Sequence, residues 1–248
     1  MKLCYYELCA MRFELVAKIK TVCYDFMGEK MEQMDIEKMD FLDLLNIIYM
    51  ITNKLNIKAY IWGGFVQEII ENKYSRTHHD LDMFIENMGT KIVEIKKRLD
   101  ENNVKYEYKE QFKMIVLYKN KIHIGINSLM IDHDIAIWKH IGDRGFVIFP
   151  KQWLDNEPRE YNGIKVLTAG IKFEYCFRKM AKHINPHWKN KNREKDNVNI
   201  EYYKNKLLEN GINEKELLEN IYSYNPFWME HGYKELKEPI IVIGKECI

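Results

Sequence analysis

The sequence has few of the features that mark a secreted, zinc-binding or membrane protein. Its five cysteines are an odd number without a CxxC pair, which favours reduced thiols over a disulfide framework or a zinc site. No apolar run approaches the roughly 20 residues that a membrane span needs. The first twenty residues also lack the uninterrupted apolar stretch of a signal peptide. We therefore expect a soluble, cytoplasmic protein without a membrane partner.

The sequence also lacks an excess of charge of one sign. Lys and Arg total 38 and Asp and Glu total 37, so the formal net charge is +1. A chain with this balance creates no long-range field that would draw it onto a polyanion. The composition therefore argues against nucleic acid as the main ligand.

Proline is absent from the first part of the chain, since all five prolines follow Phe149. This shift predicts a boundary near Pro150. With 46% hydrophobic residues, the chain can bury one sizeable core or two modest ones. We predict an N-terminal extension or helix over 1–35, a domain over 36–150 that carries the motifs, and a mostly helical region over 151–248.

Hydrophobic periodicity predicts an α+β protein. In the first half the predicted helices are 41–55, with Asp40 as its cap, 65–71 and 92–99, and the predicted strands are 58–62, 81–85, 105–108, 113–118 and 121–126. In the second half the predicted elements are helices over 171–183, 198–208 and 214–222. This order predicts an α+β catalytic half followed by a mostly helical C-terminal part.

Two glycines, Gly63 and Gly64, interrupt the chain between a predicted strand and a predicted helix. Without a Cβ, backbone N–H groups at such a turn can approach phosphate oxygens, and the following helix presents its positive end to the same anion. An ordinary tight turn would show the same pair. The glycine pair indicates a phosphate-binding turn only in combination with the residues that follow it.

Two carboxylates, Asp80 and Asp82, are separated by one residue on a predicted strand. Since side chains alternate along a strand, both should project from the same face. An exposed polar strand edge can look the same, but two like charges side by side repel, and a cation between them removes that cost. Carboxylate oxygens are hard ligands, so the pattern predicts a Mg²⁺ that also holds triphosphate oxygens.

The combined motif resembles a known family. Gly63-Gly64 and Ser75-Arg76-Thr77-His78-His79-Asp80-Leu81-Asp82 are similar to the GGW…TRxHxDhD signature of aminoglycoside and lincosamide nucleotidyltransferases, small members of the polymerase-beta-type nucleotidyltransferase superfamily. Phe65 and Ser75 stand where Trp and Thr are usual. Weaker similarity extends over roughly residues 41–208, at Phe149-Pro150, Trp153-Leu154, Gly163, Val166, Arg193, Lys195 and Asp196, with Asn199 in place of a second Asp.

The resemblance implies transfer of a nucleoside monophosphate from a triphosphate, ATP first, to a hydroxyl of a small molecule such as an aminoglycoside or lincosamide antibiotic. Residues 36–150 would then be the nucleotidyltransferase catalytic domain, with the nucleotidyltransferase fold of a mixed β-sheet flanked by helices. Asp80 and Asp82 would be ligands of Mg²⁺. Arg76 and His78 would steady the loop or touch phosphate, and each could instead be a surface or capping residue. Lys179, with Lys182, would face the triphosphate from a helix, unless that helix face is only solvated.

A third catalytic group is less clearly marked. Members of this family usually carry a third carboxylate on a neighbouring strand, and here that position holds His123. His123 would ligate metal or act as the base, since a neutral imidazole accepts a proton near pH 7. Asp132 or Asp134 would supply the group if the register is different. If the third group is missing, the protein binds nucleotide with slow transfer or none.

Two other functions fit the same residues. One is a toxin-like nucleotidyltransferase that modifies a protein or RNA, which the basic stretch 189–195 favours and the balanced charge disfavours. The other is a non-catalytic nucleotide-binding protein. The sequence carries no signal for the acceptor, the preferred triphosphate or the oligomeric state.

Overall fold

The computed structural model describes residues 37–74, 78, 80–141, 145–184, 194–228 and 234–247. Over these ranges the chain is a mixed α/β structure in which helices flank an eleven-stranded mixed sheet. No helix within them combines the length and the apolar character needed to cross a bilayer. The predicted N-terminal region, residues 1–35, lies outside the described residues.

Helices and strands alternate over residues 37–109, strands predominate over residues 114–150, and both are present beyond residue 150. The described helices are α1 (37–54), α2 (Val66–Glu71), α3 (Met88–Glu101), α4 (Gly170–Ile184), α5 (Glu194–Glu209) and α6 (Glu214–Leu218). The strands are β1 (Ala59–Trp62), β2 (Asp80–Glu86), β3 (Lys105–Lys109), β4 (Met114–Lys119), β5 (Ile122–Asp132), β6 (Ile135–Ile141), β7 (Gly145–Pro150), β8 (Arg159–Tyr161), β9 (Ile164–Thr168), β10 (Tyr222–Trp228) and β11 (Lys234–Ile243).

The sheet has the strand order β11-β10-β7-β6-β5-β2-β1-β9-β8, and β4 and β3 branch from β5. The long strand β5 makes this branch, because its first half pairs with β4 and its last residues pair with β6. Its other edge pairs in parallel with β2. Strands β1 and β9 are also parallel, and the remaining pairs are antiparallel. The strand with the two aspartates is therefore central in the sheet.

Helix α1 forms where the periodicity predicts it, but Asp40 is not its cap. The helix already includes residue 37, and the carboxylate of Asp40 accepts a hydrogen bond from Asn120 at 2.6 Å and pairs with Lys119 at 3.2 Å. Farther along, the hydroxyl of Tyr49 donates to the carbonyl of Ala59 and accepts from the backbone N–H of Leu167. These bonds hold α1 across β1 and β9.

The second half supplies strands as well as helices. The three predicted helices are present as α4, α5 and α6, although α6 ends at Leu218 and the chain enters β10 at Tyr222. Four strands, β8 to β11, also come from this half, with β9 beside β1 and β10 beside β7. Pro150 ends β7, and the sheet continues across it. These segments are strands because they pair with strands that are distant in sequence, and local periodicity does not predict such pairing.

Candidate active site

Strand β2 carries both predicted carboxylates to one region of the sheet. Asp80 is exposed and Asp82 is half-buried, and because they are two positions apart on a strand they project from the same face. Asp82 pairs with Trp62 of β1 on one side and with Gly125 of β5 on the other.

Two glycines adjoin the carboxylate of Asp82. A Cβ at Gly63 would lie 3.3 Å from Oδ2 of Asp82, and a Cβ at Gly125 would lie 3.5 Å from Oδ1. Gly63 also has φ of +87°, a conformation that residues with a Cβ rarely adopt. The missing side chains leave space beside both carboxylate oxygens.

The site has an excess of negative charge. Burial and, to a smaller extent, the negative charges of Asp80 and Glu174 together raise the pKa of Asp82 to about 7, whereas Arg178 acts in the opposite direction. A carboxyl group is shifted in this way when its charged form lacks a sufficient counter-charge. A divalent cation between Asp80 and Asp82 would supply that counter-charge.

Helix α4 brings two further charged residues, Glu174 and Arg178, that the sequence analysis missed. Glu174 is fully buried; its Oε1 accepts from the backbone N–H of Gly63 at 2.6 Å, and its Oε2 accepts from Nη2 of Arg178 at 3.1 Å. Burial raises the pKa of Glu174, and these two donors lower it. The available signal was a Glu and an Arg four residues apart, each directly after a phenylalanine that packs on the core, Phe173 and Phe177.

The predicted phosphate-binding turn follows β1 as expected, and its two glycines differ. The backbone N–H of Gly63 is already donated to Glu174, while Gly64 is exposed. Helix α2 contains only six residues, so its dipole is weaker than that of a long helix. Gly64 is therefore the better placed of the two glycines to meet a phosphate. The two residues are called the glycine turn below.

Of the two predicted loop residues, Arg76 lies outside the described residues and His78 is buried. Nε2 of His78 lies 2.8 Å from Oε1 of Glu68 on α2. Its ring meets the ring of Phe65 edge-on, with 4.9 Å between the ring centroids. Buried against these two side chains, His78 suits a structural role and is poorly placed for contact with phosphate.

The register of β5 separates the candidates for the third group. His123 is exposed and pairs with Asp80, so it lies beside the aspartate pair on the same face. Asp132 pairs with Ile135 at the other end of β5, about 30 Å farther along the strand at 3.3 Å per residue. Asp134 follows in the next turn. The structure brings His123 to the site and leaves Asp132 and Asp134 away from it.

Lys179 is not directed to the aspartates. Its Nζ lies 3.5 Å from the carboxylate of Glu214 on α6, and the hydroxyl of Tyr175 donates to the same carboxylate. The side chain of Lys182 lies outside the described part of the structure, as do Arg193 and the side chains of Lys195 and Asp196. Arg178 is therefore the cation that the described part of α4 contributes near Asp82.

Within the described ranges, no set of three or more His, Cys, Asp and Glu side chains is arranged to hold a metal ion by protein ligands alone. Mg²⁺ is often held by one or two carboxylates, with substrate phosphates and water as the other ligands. Asp80 and Asp82 fit that type of site. They do not form a closed metal site.

The raised pKa of Asp82 predicts a pH effect on stability in metal-free buffer. An unfolded chain ionises Asp near pH 3.9, whereas the folded protein keeps Asp82 protonated up to about pH 7. Between these values the folded state binds more protons, so its stability falls as pH rises. Asp82→Asn removes this loss, and we expect its Tm advantage over the wild type to grow by about 5 °C from pH 5 to pH 8.

Thermal melts of both proteins in EDTA, repeated with Mg²⁺, measure this effect. Mg²⁺ should reduce the advantage of Asp82→Asn, because only the wild type binds the ion well. A Tm difference that is the same at pH 5 and pH 8 would contradict the prediction.

Substitution of Gly63 tests the space beside Asp82. Gly63→Ala places a methyl group 3.3 Å from Oδ2 of Asp82, and we expect Mg²⁺-ATP to bind about tenfold or more weakly. Gly163→Ala is the matched control, because Gly163 has φ of +79° and a Cβ there would meet nothing within 4 Å. Each variant should lose about 1–2 kcal/mol of stability from the left-handed backbone. Calorimetric titration should show the affinity loss in Gly63→Ala alone, and equal affinity in both variants would contradict the prediction.

Comparison with known proteins gives similarities of fold. No protein-family model and no curated protein matches the sequence. Similar solved structures include the lincosamide antibiotic adenylyltransferase LnuA with bound lincomycin, at 16% identity over 68% of this chain and 94% of that one, with a TM-score of 0.47. ANT(2")-Ia in complex with adenylyl-2"-tobramycin is 11% identical over 66% and 97%, with a TM-score of 0.46. A putative nucleotidyltransferase from Thermotoga maritima is 16% identical over 56% and 86%, with a TM-score of 0.34.

Proposed function

We propose that the protein is a Mg²⁺-dependent nucleotidyltransferase that moves a nucleoside monophosphate from a nucleoside triphosphate to a hydroxyl of a small molecule. ATP is the first candidate for the triphosphate. The observation that carries the proposal is the position of Asp80 and Asp82, on one face of a central strand and next to the glycine turn. Two adjacent carboxylates and a turn open to phosphate are the parts that binding of a metal–triphosphate needs.

Asp80 and Asp82 would hold the metal, and Gly64 would approach the phosphates. Bound Mg²⁺ supplies neutralisation of the charge on the reacting and leaving phosphate oxygens. The protein's own side chains then have two tasks, to keep the triphosphate oriented for in-line displacement and to keep Asp82 ionised. Arg178 helps the second task, because its positive charge lowers the pKa of Asp82.

His123 is the proposed general base. Its imidazole is exposed beside Asp80, so an acceptor hydroxyl near the metal can reach it. A ring nitrogen without a proton would take the hydroxyl proton as the oxygen attacks the α-phosphorus, and pyrophosphate would leave. His123 stands where a carboxylate is usual in the family that the motif resembles.

A small-molecule acceptor fits the balanced charge of the chain, because nucleic acid binding depends strongly on phosphate contacts from Lys and Arg. Aminoglycosides and lincosamides, which carry hydroxyl groups, are the first acceptors to test. Since nucleoside triphosphates are intracellular metabolites, we place the reaction in the cytoplasm.

The direct test is incubation of the full chain with Mg²⁺ and each labelled nucleoside triphosphate. Parallel samples would contain aminoglycosides, lincosamides, RNA or lysate protein. We expect label on a small molecule and release of pyrophosphate, both abolished by EDTA. Label on RNA or protein would instead identify a toxin-like nucleotidyltransferase. Nucleotide binding without transfer would identify a non-catalytic binding protein.

A further inference from the structure

Helix α4 is bonded to the end of β1 and to the glycine turn at two points. Directly before the helix, the backbone N–H of Ala169 donates to the carbonyl of Ile61 at 2.8 Å. Inside the helix, Glu174 accepts from the backbone N–H of Gly63 at 2.6 Å. Since Ile61 and Gly63 are two residues apart, α4 fixes both the strand end and the turn that follows it.

The start of α4 is itself held closely. Gly170 has φ of +79°, and a Cβ there would lie 2.1 Å from the carbonyl oxygen of Trp153, so the backbones touch. The hydroxyl of Thr168 donates to Asp155 at 2.6 Å and accepts from the backbone N–H of Gly170 at 3.2 Å. These contacts fix the first turn of α4, and Glu174 lies one turn farther along the helix.

Both carboxylate oxygens of Glu174 are already in use. Oε1 bonds to Gly63, and Oε2 bonds to Arg178, whose guanidinium lies 5.5 Å from the ring centroid of Tyr203 on α5. Hydrogen bonds to a charged group are roughly twice as strong as neutral ones and offset part of the cost of burying a carboxylate. A carboxylate so engaged is poorly suited to act as a base or a metal ligand. It is well suited to hold a backbone in place.

We propose that Glu174 is a positioning residue that fixes the glycine turn next to Asp82 so that the turn and the aspartates bind one metal–triphosphate. This inference rests on the proposed function. Arg178 donates to Oε2 of Glu174 and orients its carboxylate, and Tyr203 supports Arg178. Through this chain of contacts, helices α4 and α5 set the geometry of a turn that is distant from them in sequence.

The test is binding of Mg²⁺-ATP to Glu174→Ala, measured by calorimetric titration. Removal of the acceptor frees the N–H of Gly63, and we expect affinity to fall by about 10- to 100-fold, as for other residues that orient a ligand set. Glu174→Gln keeps an oxygen that can accept from Gly63 but presents an amide to Arg178, so its affinity should fall between those of the wild type and Glu174→Ala. If Glu174→Ala does not fold, Glu174→Gln alone decides, and it must bind more weakly than the wild type.

Glu214→Gln is the matched control for a purely structural effect. Glu214 on α6 bonds to Tyr175 and Lys179, which lie on α4 like Glu174. Loss of its charge should therefore lower Tm and leave Mg²⁺-ATP affinity within about twofold. Affinity in Glu174→Ala equal to that of the wild type would overturn the inference. An equal loss of affinity in Glu214→Gln would also overturn it, because general loosening of α4 would then suffice.

A second readout needs no nucleotide. In the wild type, the amide proton of Gly63 should resonate far downfield because it bonds to a buried carboxylate. It should move upfield in Glu174→Ala, and it should stay in place in Glu214→Gln. The two measurements separate the two proposals. If calorimetric titration shows that the wild type binds no triphosphate, the proposed function fails. An unchanged Gly63 signal in Glu174→Ala would show that the positioning contact itself is wrong.

Discussion

Asp82→Asn is expected to abolish nucleotidyl transfer, with a loss of about 10³-fold or more. Asn keeps the size of the side chain and removes its charge, so the metal loses one of its two carboxylates at the half-buried end of the site. The folded state should tolerate the change, because burial already favours the neutral form of Asp82. The measurement is turnover with saturating Mg²⁺ and ATP, together with a thermal melt.

Asp132→Asn is the matched control for this loss. Asp132 is an exposed aspartate at the far end of β5, and its neutralisation should leave turnover within about twofold. Wild-type turnover in Asp82→Asn would remove the central claim of a metal held by the aspartate pair. Loss of activity through unfolding would be recognised from a Tm that falls, where we expect one that is unchanged or higher.

His123→Ala is expected to lower turnover by roughly 10²- to 10⁴-fold, the range typical of a positioned proton acceptor. His123 lies beside Asp80, and because it is exposed, truncation should cost little stability. The KM for ATP should change little, since the base acts on the acceptor hydroxyl. Initial rates at several concentrations of ATP and acceptor separate the two effects.

The control for His123→Ala is His133→Ala. His133 is exposed in the turn after β5 and pairs with Asp132, away from the aspartate pair, so we expect an unchanged rate. If His123→Ala keeps its rate and Asp132→Asn is inactive, the role of base belongs to Asp132. That result would also contradict the strand register, which separates Asp132 from Asp80 by most of the length of β5.

The parts of the fold that were predictable from sequence are those with strong local signals. Helix α1 follows from its 3.6-residue periodicity, and β1, the glycine turn and α2 follow from a short apolar run broken by two glycines. The alternation along β2 correctly predicted that Asp80 and Asp82 share a face. The strands after Pro150 gave no comparable signal. The segment 222–228 became β10 because β7 and β11 pair with it.

The site divides in the same way. The sequence by itself determined the aspartate pair and the glycine turn, because neighbouring residues in a fixed local conformation have a fixed spatial relation. Only the tertiary structure decided that His123 lies beside Asp80, that Gly125 lies beside Asp82 and that Glu174 reaches Gly63. These relations depend on the register between β2 and β5 and on the packing of α4. The strand register and the position of α4 both depend on side-chain packing across the whole core, which a local sequence pattern does not predict.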